Sequence, residues 1–138
     1  MNSNLTLEMN LRIMVVDDEL DVEFLFNQRF RREIRKGSIT ILYSHSGEKA
    51  LSFLREPPPF DIVLVLSDIN MPGMTGLELL KLIKKEFPEI KVFMVTACGD
   101  DENFKKAKQY GADDFITKPV DFKVLKEKIF QLEISAKE

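Results

Sequence analysis

The chain has 138 residues, 44% of them hydrophobic and 31% charged, which fits one compact domain with an ordinary core. Its net charge of −3 offers no basic face of the kind that direct nucleic-acid binding uses. The longest apolar run, residues 62–66, is far too short to span a bilayer. Residues 1–10 have no basic start and no long apolar stretch, so no secretory leader is expected. One cysteine, Cys98, excludes an internal disulfide and suits a reducing cytoplasm, and one histidine, His45, excludes a multi-histidine metal site.

Arg12, Ile13, Met14, Val15 and Val16 form a short, apolar, β-branched run ending in Asp17, Asp18 and Glu19, which predicts a buried strand and a polar loop. From 21 to about 34, Val22, Leu25, Phe26 and Phe30 recur at helical spacing, and Gly37 ends the helix. Residues 38–43 read as a second strand. Ser46 caps a helix to about Arg55, and Pro57, Pro58 and Pro59 forbid its continuation. Residues 62–66 form a third strand ending at Ser67 and Asp68. A loop with Asn70, Met71, Pro72, Gly73 and Gly76 leads to a helix carrying Leu77, Leu80 and Ile83. Residues 91–96 are strand four, and 100–110 a polar helix stopped by Gly111. Residues 114–117 are a short fifth strand broken by Lys118 and Pro119. Asp121 caps a last helix with Val124, Leu125, Ile129 and Phe130 on its apolar face. Five βα units without repeats imply a parallel sheet covered by helices on both faces, a three-layer doubly wound α/β fold.

In such sheets ligands bind beyond the carboxyl ends of the strands. Asp17 and Asp18 follow strand one, Asp68 strand three, Thr96 strand four and Lys118 strand five. Asp18 lies 50 residues before Asp68, Asp68 28 before Thr96, and Thr96 22 before Lys118. A βα unit takes roughly 20 to 30 residues, so all of these groups converge on one rim. Three clustered carboxylates repel one another, and a divalent cation relieves this; an all-oxygen set favours Mg²⁺ or Mn²⁺ over zinc. Lys118 then supplies a compact positive charge for phosphoryl oxygens, Thr96 a hydroxyl donor, and Asp68 a carboxylate nucleophile. Taken singly, Asp17 and Asp18 would read as a solvated turn and Lys118 as a surface lysine; only their convergence argues otherwise.

The runs Val15-Val16-Asp17-Asp18-Glu19, Ser67-Asp68-Ile69-Asn70-Met71-Pro72-Gly73, Val95-Thr96-Ala97 and Thr117-Lys118-Pro119 resemble, in order and spacing, the receiver domains of two-component response regulators. The resemblance covers about residues 11–133, with 1–10 an extension, 11–134 the receiver domain and 135–138 a tail. It implies a five-stranded, flavodoxin-like sheet of order 2-1-3-4-5 with five helices. It implies that a sensor histidine kinase or a histidine phosphotransfer protein phosphorylates Asp68. Mg²⁺ would sit on Asp18, Asp68 and the backbone carbonyl of Asn70, with Asp17 in the same acidic pocket. Lys118 would contact the phosphoryl group and precede a cis peptide bond to Pro119. Thr96 and Phe115 would form the switch that remodels the surface of strands four and five for a downstream effector, with homodimer formation one outcome of activation. Phe115, lacking a hydroxyl to anchor either rotamer, would make that switch softer than a tyrosine; it reads equally well as core.

Several features stand beside that pattern. Strand three looks two residues longer than usual, and because strand side chains alternate with period two, Asp68 should keep its facing. Cys98, two after Thr96, occupies a position that tunes dephosphorylation in the family, or is an inert loop thiol. Lys105, Lys106 and Lys108 read as a solvated helix face. The stretch 24–35 and the run 68–76 look similar to receivers joined to nucleotide cyclase or phosphatase outputs. A phosphohydrolase resembling the haloacid dehalogenase group needs carboxylates two residues apart on strand one, and neither Asp17 with Glu19 nor Asp68 with Asn70 fits. The expected function is therefore a phosphorylation-dependent, cytoplasmic signalling switch, not a turnover enzyme. A phosphorylation-independent interaction scaffold is the alternative.

Overall fold

The computed structural model describes residues 10–56 and 61–137, with side chains through Leu132. Five strands, β1 (Leu11–Val16), β2 (Ile39–Ser44), β3 (Ile62–Asp68), β4 (Lys91–Thr96) and β5 (Asp114–Thr117), form one sheet in the order β2-β1-β3-β4-β5. Every neighbouring pair is parallel. The described helices are α1 (Asp21–Arg29), α2 (Arg31–Lys36), α3 (Gly47–Leu54), α4 (Gly76–Glu86), α5 (Asp101–Gln109) and α6 (Phe122–Lys137). This is the doubly wound, flavodoxin-like architecture expected from the alternating pattern.

The strands are apolar on both sides because helices cover both. On one face Ile13, Val15, Leu66, Phe93 and Val95 pack with Phe26 and Phe30 and with Phe122, Leu125 and Ile129 of α6. On the other, Met14, Val16, Val65, Val92 and Met94 pack with Ala50 and Leu51 of α3, Leu79, Leu80 and Ile83 of α4, and Ala107 of α5. Two positions expected in apolar stripes are instead open to solvent: Leu25 and Val124 both count among the exposed large hydrophobics.

The helix expected over 21–34 is two helices, so six are described where five were expected. Phe30 leaves helical geometry, with φ −102° and ψ 16°, yet its N–H donates to Phe26 O and its carbonyl accepts from Ile34 N–H, each at 2.9 Å. Ring packing explains the break. Phe30 stacks on Phe26 with centroids 5.8 Å apart, and both meet Phe122 edge-on at 6.0 and 5.0 Å. Gly37 ends α2 in the left-handed region at φ 80°, where a side chain would be strained.

The extra length of β3 is accommodated differently from expectation. Arg12 pairs with Ile62 and Ile13 with Leu64, so Val63 is bulged out of the ladder, and it is exposed. Ile62 and Leu64 consequently pack on opposite faces. The bulge, rather than strict alternation, sets the facing of the strand that ends in Asp68. The prolines 57–59 lie outside the described residues, as does the N-terminal extension apart from Asn10. That residue donates to Gly37 O at 2.6 Å and accepts from the Thr40 hydroxyl at 2.9 Å, tying the start of β1 to that of β2.

Caps position the helices around the rim. The Ser46 hydroxyl accepts from Lys49 N–H at 3.1 Å, and Asp121 accepts from Lys123 and Val124 N–H at 3.0 and 3.2 Å. Thr75 and Glu78 form a reciprocal capping box on α4.

Candidate functional site

Strand order reverses between β1 and β3, and the crevice beyond their carboxyl ends brings together Asp17, Asp18, Asp68 and Lys118. Asp17 follows β1 and is buried, Asp68 ends β3 and is buried, and Asp18 is exposed. One carboxylate oxygen from each lies within 4.8 Å of the others. Lys118 reaches in from beyond β5 and donates from Nζ to Asp68 Oδ2 at 2.9 Å. Its backbone N–H donates to Thr96 O at 2.8 Å, and its peptide bond to Pro119 is cis. Thr96 ends β4, buried, in register with Thr117. Asn70 lies two residues past Asp68, on the exposed surface.

The electrostatics follow from this crowding. Burial raises the pKa of Asp17; its Glu19 N–H hydrogen bond at 2.9 Å opposes that, and the charge of Asp68 adds to it. For Lys118, partial burial pulls the pKa down. The hydrogen bond and charge of Asp68, with help from Asp17 and Glu19, outweigh it and hold the ammonium above its ordinary value. A lysine kept charged beside a buried carboxylate is suited to gripping an anion that arrives there.

Phe115 lies half-buried on β5, its ring 4.3 Å from that of Phe104 on α5 at an interplanar angle of 45°. Cys98 is exposed in the β4–α5 loop. Among the described residues, no helix is long and apolar enough to cross a membrane.

Four supporting residues were not singled out as such by sequence reasoning. Gly76 donates to Ile69 O at 2.7 Å, and a Cβ placed on it would overlap the carbonyl oxygen of Asp68. Its lack of a side chain lets α4 begin directly against the end of β3. Glu48 of α3 accepts from Met74 N–H at 3.0 Å, holding the β3–α4 loop. The Nδ1 of His45 hydrogen-bonds Asp17 O at 3.0 Å, and its Nε2 lies 3.4 Å from Glu23 Oε2, so this strand-end histidine braces the acidic loop. Phe104 supplies the surface on which Phe115 rests. The Thr75-to-Glu78 spacing beside Gly76 is a readable local signature, whereas the Glu48 and His45 contacts join segments 26 and 28 residues apart.

Comparison with known proteins agrees with this geometry. The family model described as the response regulator receiver domain matches residues 13–130. The chain is 31% identical over 121 residues to sporulation initiation phosphotransferase F of Bacillus subtilis, covering 88% of this chain and 92% of that protein. It is 35% identical over 117 residues to a cyclic di-GMP phosphodiesterase of Thermotoga maritima, covering 85% of this chain but 29% of that one. It spans 22% of the DNA-binding transcriptional regulator NtrC of Proteus hauseri, at 34% identity. Among solved structures, a receiver domain protein from Clostridium thermocellum superposes with a TM-score of 0.80 at 27% identity, over 92% of this chain and 97% of that one. The receiver domain of NtrX from Brucella abortus gives 0.71 at 32%, over 86% and 95%. With the acidic crevice, the paired lysine and the strand order already in place, these matches show that the chain belongs to the response-regulator receiver family.

Proposed function

We propose that the chain is a phosphorylation switch whose acceptor is Asp68. The observation that carries this reading is the meeting of three carboxylates within 4.8 Å with the Lys118 ammonium 2.9 Å from Asp68. The donor is a sensor histidine kinase or a histidine phosphotransfer protein. An Asp68 oxygen forms a bond to phosphorus as the phosphorus–nitrogen bond of a phosphohistidine breaks, and the imidazole leaves. Phosphoryl transfer of this kind depends mainly on positioning and charge neutralisation, which suits a rim of clustered carboxylates and one ammonium.

The donor set fits a hard divalent cation: it is all oxygen, one carboxylate is open to water, and the cluster carries repulsion that a cation would relieve. Asp18, Asp68 and the Asn70 carbonyl would hold Mg²⁺, or Mn²⁺, with Asp17 beside them. Such an ion supplies charge neutralisation on the phosphoryl oxygens when bound. Lys118 grips one phosphoryl oxygen and the Thr96 hydroxyl another. Movement of Thr96 would free space for Phe115, whose half-buried ring rests against exposed Phe104. The altered face of β4, α5 and β5 then meets a downstream effector in the cytoplasm. The receiver is assigned to residues 11–134, with 1–10 and 135–138 flanking it. Its enzymology is limited to accepting and losing its own phosphoryl group.

Intact-mass spectrometry after incubation with acetyl phosphate tests this directly. A single labile phosphoryl adduct is expected with Mg²⁺, strongly reduced without it and absent in Asp68→Asn. No adduct on folded protein, with acetyl phosphate or phosphoramidate, would leave the interaction-scaffold reading in its place.

A further inference from the structure

The acidic loop between β1 and α1 is held by a side chain from a third element. The last backbone rung between the paths of β1 and β2 runs from Asp17 N–H to Ser44 O at 3.0 Å. One residue further on, His45 Nδ1 lies 3.0 Å from Asp17 O. A carbonyl can only accept, so Nδ1 carries the proton in that contact. The other edge of the ring faces α1, with Nε2 3.4 Å from Glu23 Oε2. Tyr43 of β2 reaches the same helix and donates to Asn27 Oδ1 at 2.9 Å.

The base of this brace is itself fixed. Ser44 is buried and its hydroxyl donates to Ser46 O at 3.2 Å, while the Ser46 hydroxyl caps α3 by accepting from Lys49 N–H at 3.1 Å. His45 therefore projects from a backbone pinned on both sides. The loop it holds is under charge stress. Asp17, Asp18 and Asp68 bring carboxylate oxygens within 4.8 Å, and their repulsion works against that gathering. Lys118 pairs with Asp68, but no ion pair reaches Asp17 or Asp18 among the described residues. Hydrogen bonds do the holding there: Glu19 N–H to Asp17 Oδ1 at 2.9 Å, and His45 to Asp17 O.

We propose that His45 is a positioning residue for the acidic crevice: its Nδ1–H holds the Asp17 carbonyl, and with it the peptide that leads to Asp18, in the arrangement that receives a divalent cation. This role presupposes the cation reading of the crevice. Its physical basis is preorganisation. With the brace, the carboxylate oxygens are gathered before the ion arrives; without it, the loop relaxes and part of the binding energy goes into regathering them. Groups that orient a metal's ligands by hydrogen bonding change its affinity by roughly 10- to 100-fold. His45 acts through a backbone carbonyl, which places its effect at the lower end.

Direct Mn²⁺ titration of the full chain, with free Mn²⁺ read by electron paramagnetic resonance and no phosphodonor present, tests this. His45→Ala should bind Mn²⁺ about tenfold more weakly than wild type. His45→Asn should recover most of that loss, because the asparagine amide nitrogen stands as many bonds from the backbone as Nδ1 does. Circular dichroism and urea unfolding of each variant check that the fold is kept. With acetyl phosphate, His45→Ala should need about tenfold more Mg²⁺ for half-maximal adduct formation, yet reach the wild-type rate at saturation. Equal Mn²⁺ affinity in wild type and His45→Ala would overturn the positioning role and leave the cation reading standing. Weakening in His45→Ala without recovery in His45→Asn would overturn the Nδ1–H donor as its cause. A wild-type chain that binds no Mn²⁺ would overturn both.

Discussion

The two flanks of strand β4 are built to different standards. On one side β3 and α4 are fastened together: Gly76, Leu79, Leu80 and Ile83 of α4 are buried, a capping box starts the helix, and Gly76 lies against the Asp68 carbonyl. On the other, α5 buries Ala107 alone, and its largest apolar side chain, Phe104, is 39% exposed and rests on Phe115. Both helices are amphipathic in sequence, so the difference lies in how much apolar area each places against the sheet. Local stability follows buried apolar contact, which makes β3 with α4 the firm partner and α5 with β5 the compliant one. The proposed switch would use that division: Asp68 held still, next to an element with little to lose by moving.

The strongest way to break the comparison is Gly76→Ala. A Cβ there must displace either the start of α4 or the backbone of Asp68, and a loss of about 3 kcal/mol or more in urea unfolding is expected. A loss below about 1 kcal/mol would mean that the junction is looser than its geometry. Next comes Ile83→Ala, which empties a fully buried site and should cost about 3 kcal/mol by the same measurement. Thr75→Ala removes the cap hydroxyl and should cost about 1 kcal/mol, read from the shift in unfolding midpoint at constant slope. Smallest is Phe104→Ala, which loses a partly exposed ring contact worth about 0.5 kcal/mol. Parity between Phe104→Ala and Ile83→Ala would end the distinction between the flanks. Native-state hydrogen exchange sharpens it further: amides of α5 should exchange by local opening well before those of α4.

Much of the site was legible in the chain because strand ends in a parallel α/β sheet share one rim. Asp17, Asp18, Asp68, Thr96 and Lys118 needed only the correct placing of five short apolar runs. The helical break at Phe30 was not legible, since the 3.6-residue period runs through it without interruption. The bulge at Val63 was equally hidden, because Ile62 to Leu66 is uniformly apolar and no alternation marks which residue leaves the ladder.

What the sequence determined by itself is therefore the alternation of elements, the polar residue at each strand end, and the caps, all of which depend on neighbours a few positions apart. The tertiary structure decided which ring bends a helix, which residue bulges, why position 76 must be glycine, and that His45 braces Asp17. Those outcomes depend on atoms brought together from 28 residues apart in the case of His45 and Asp17, and from α6 in the case of Phe30. Period and propensity are short-range properties of the chain, whereas close packing is settled only when the layers meet.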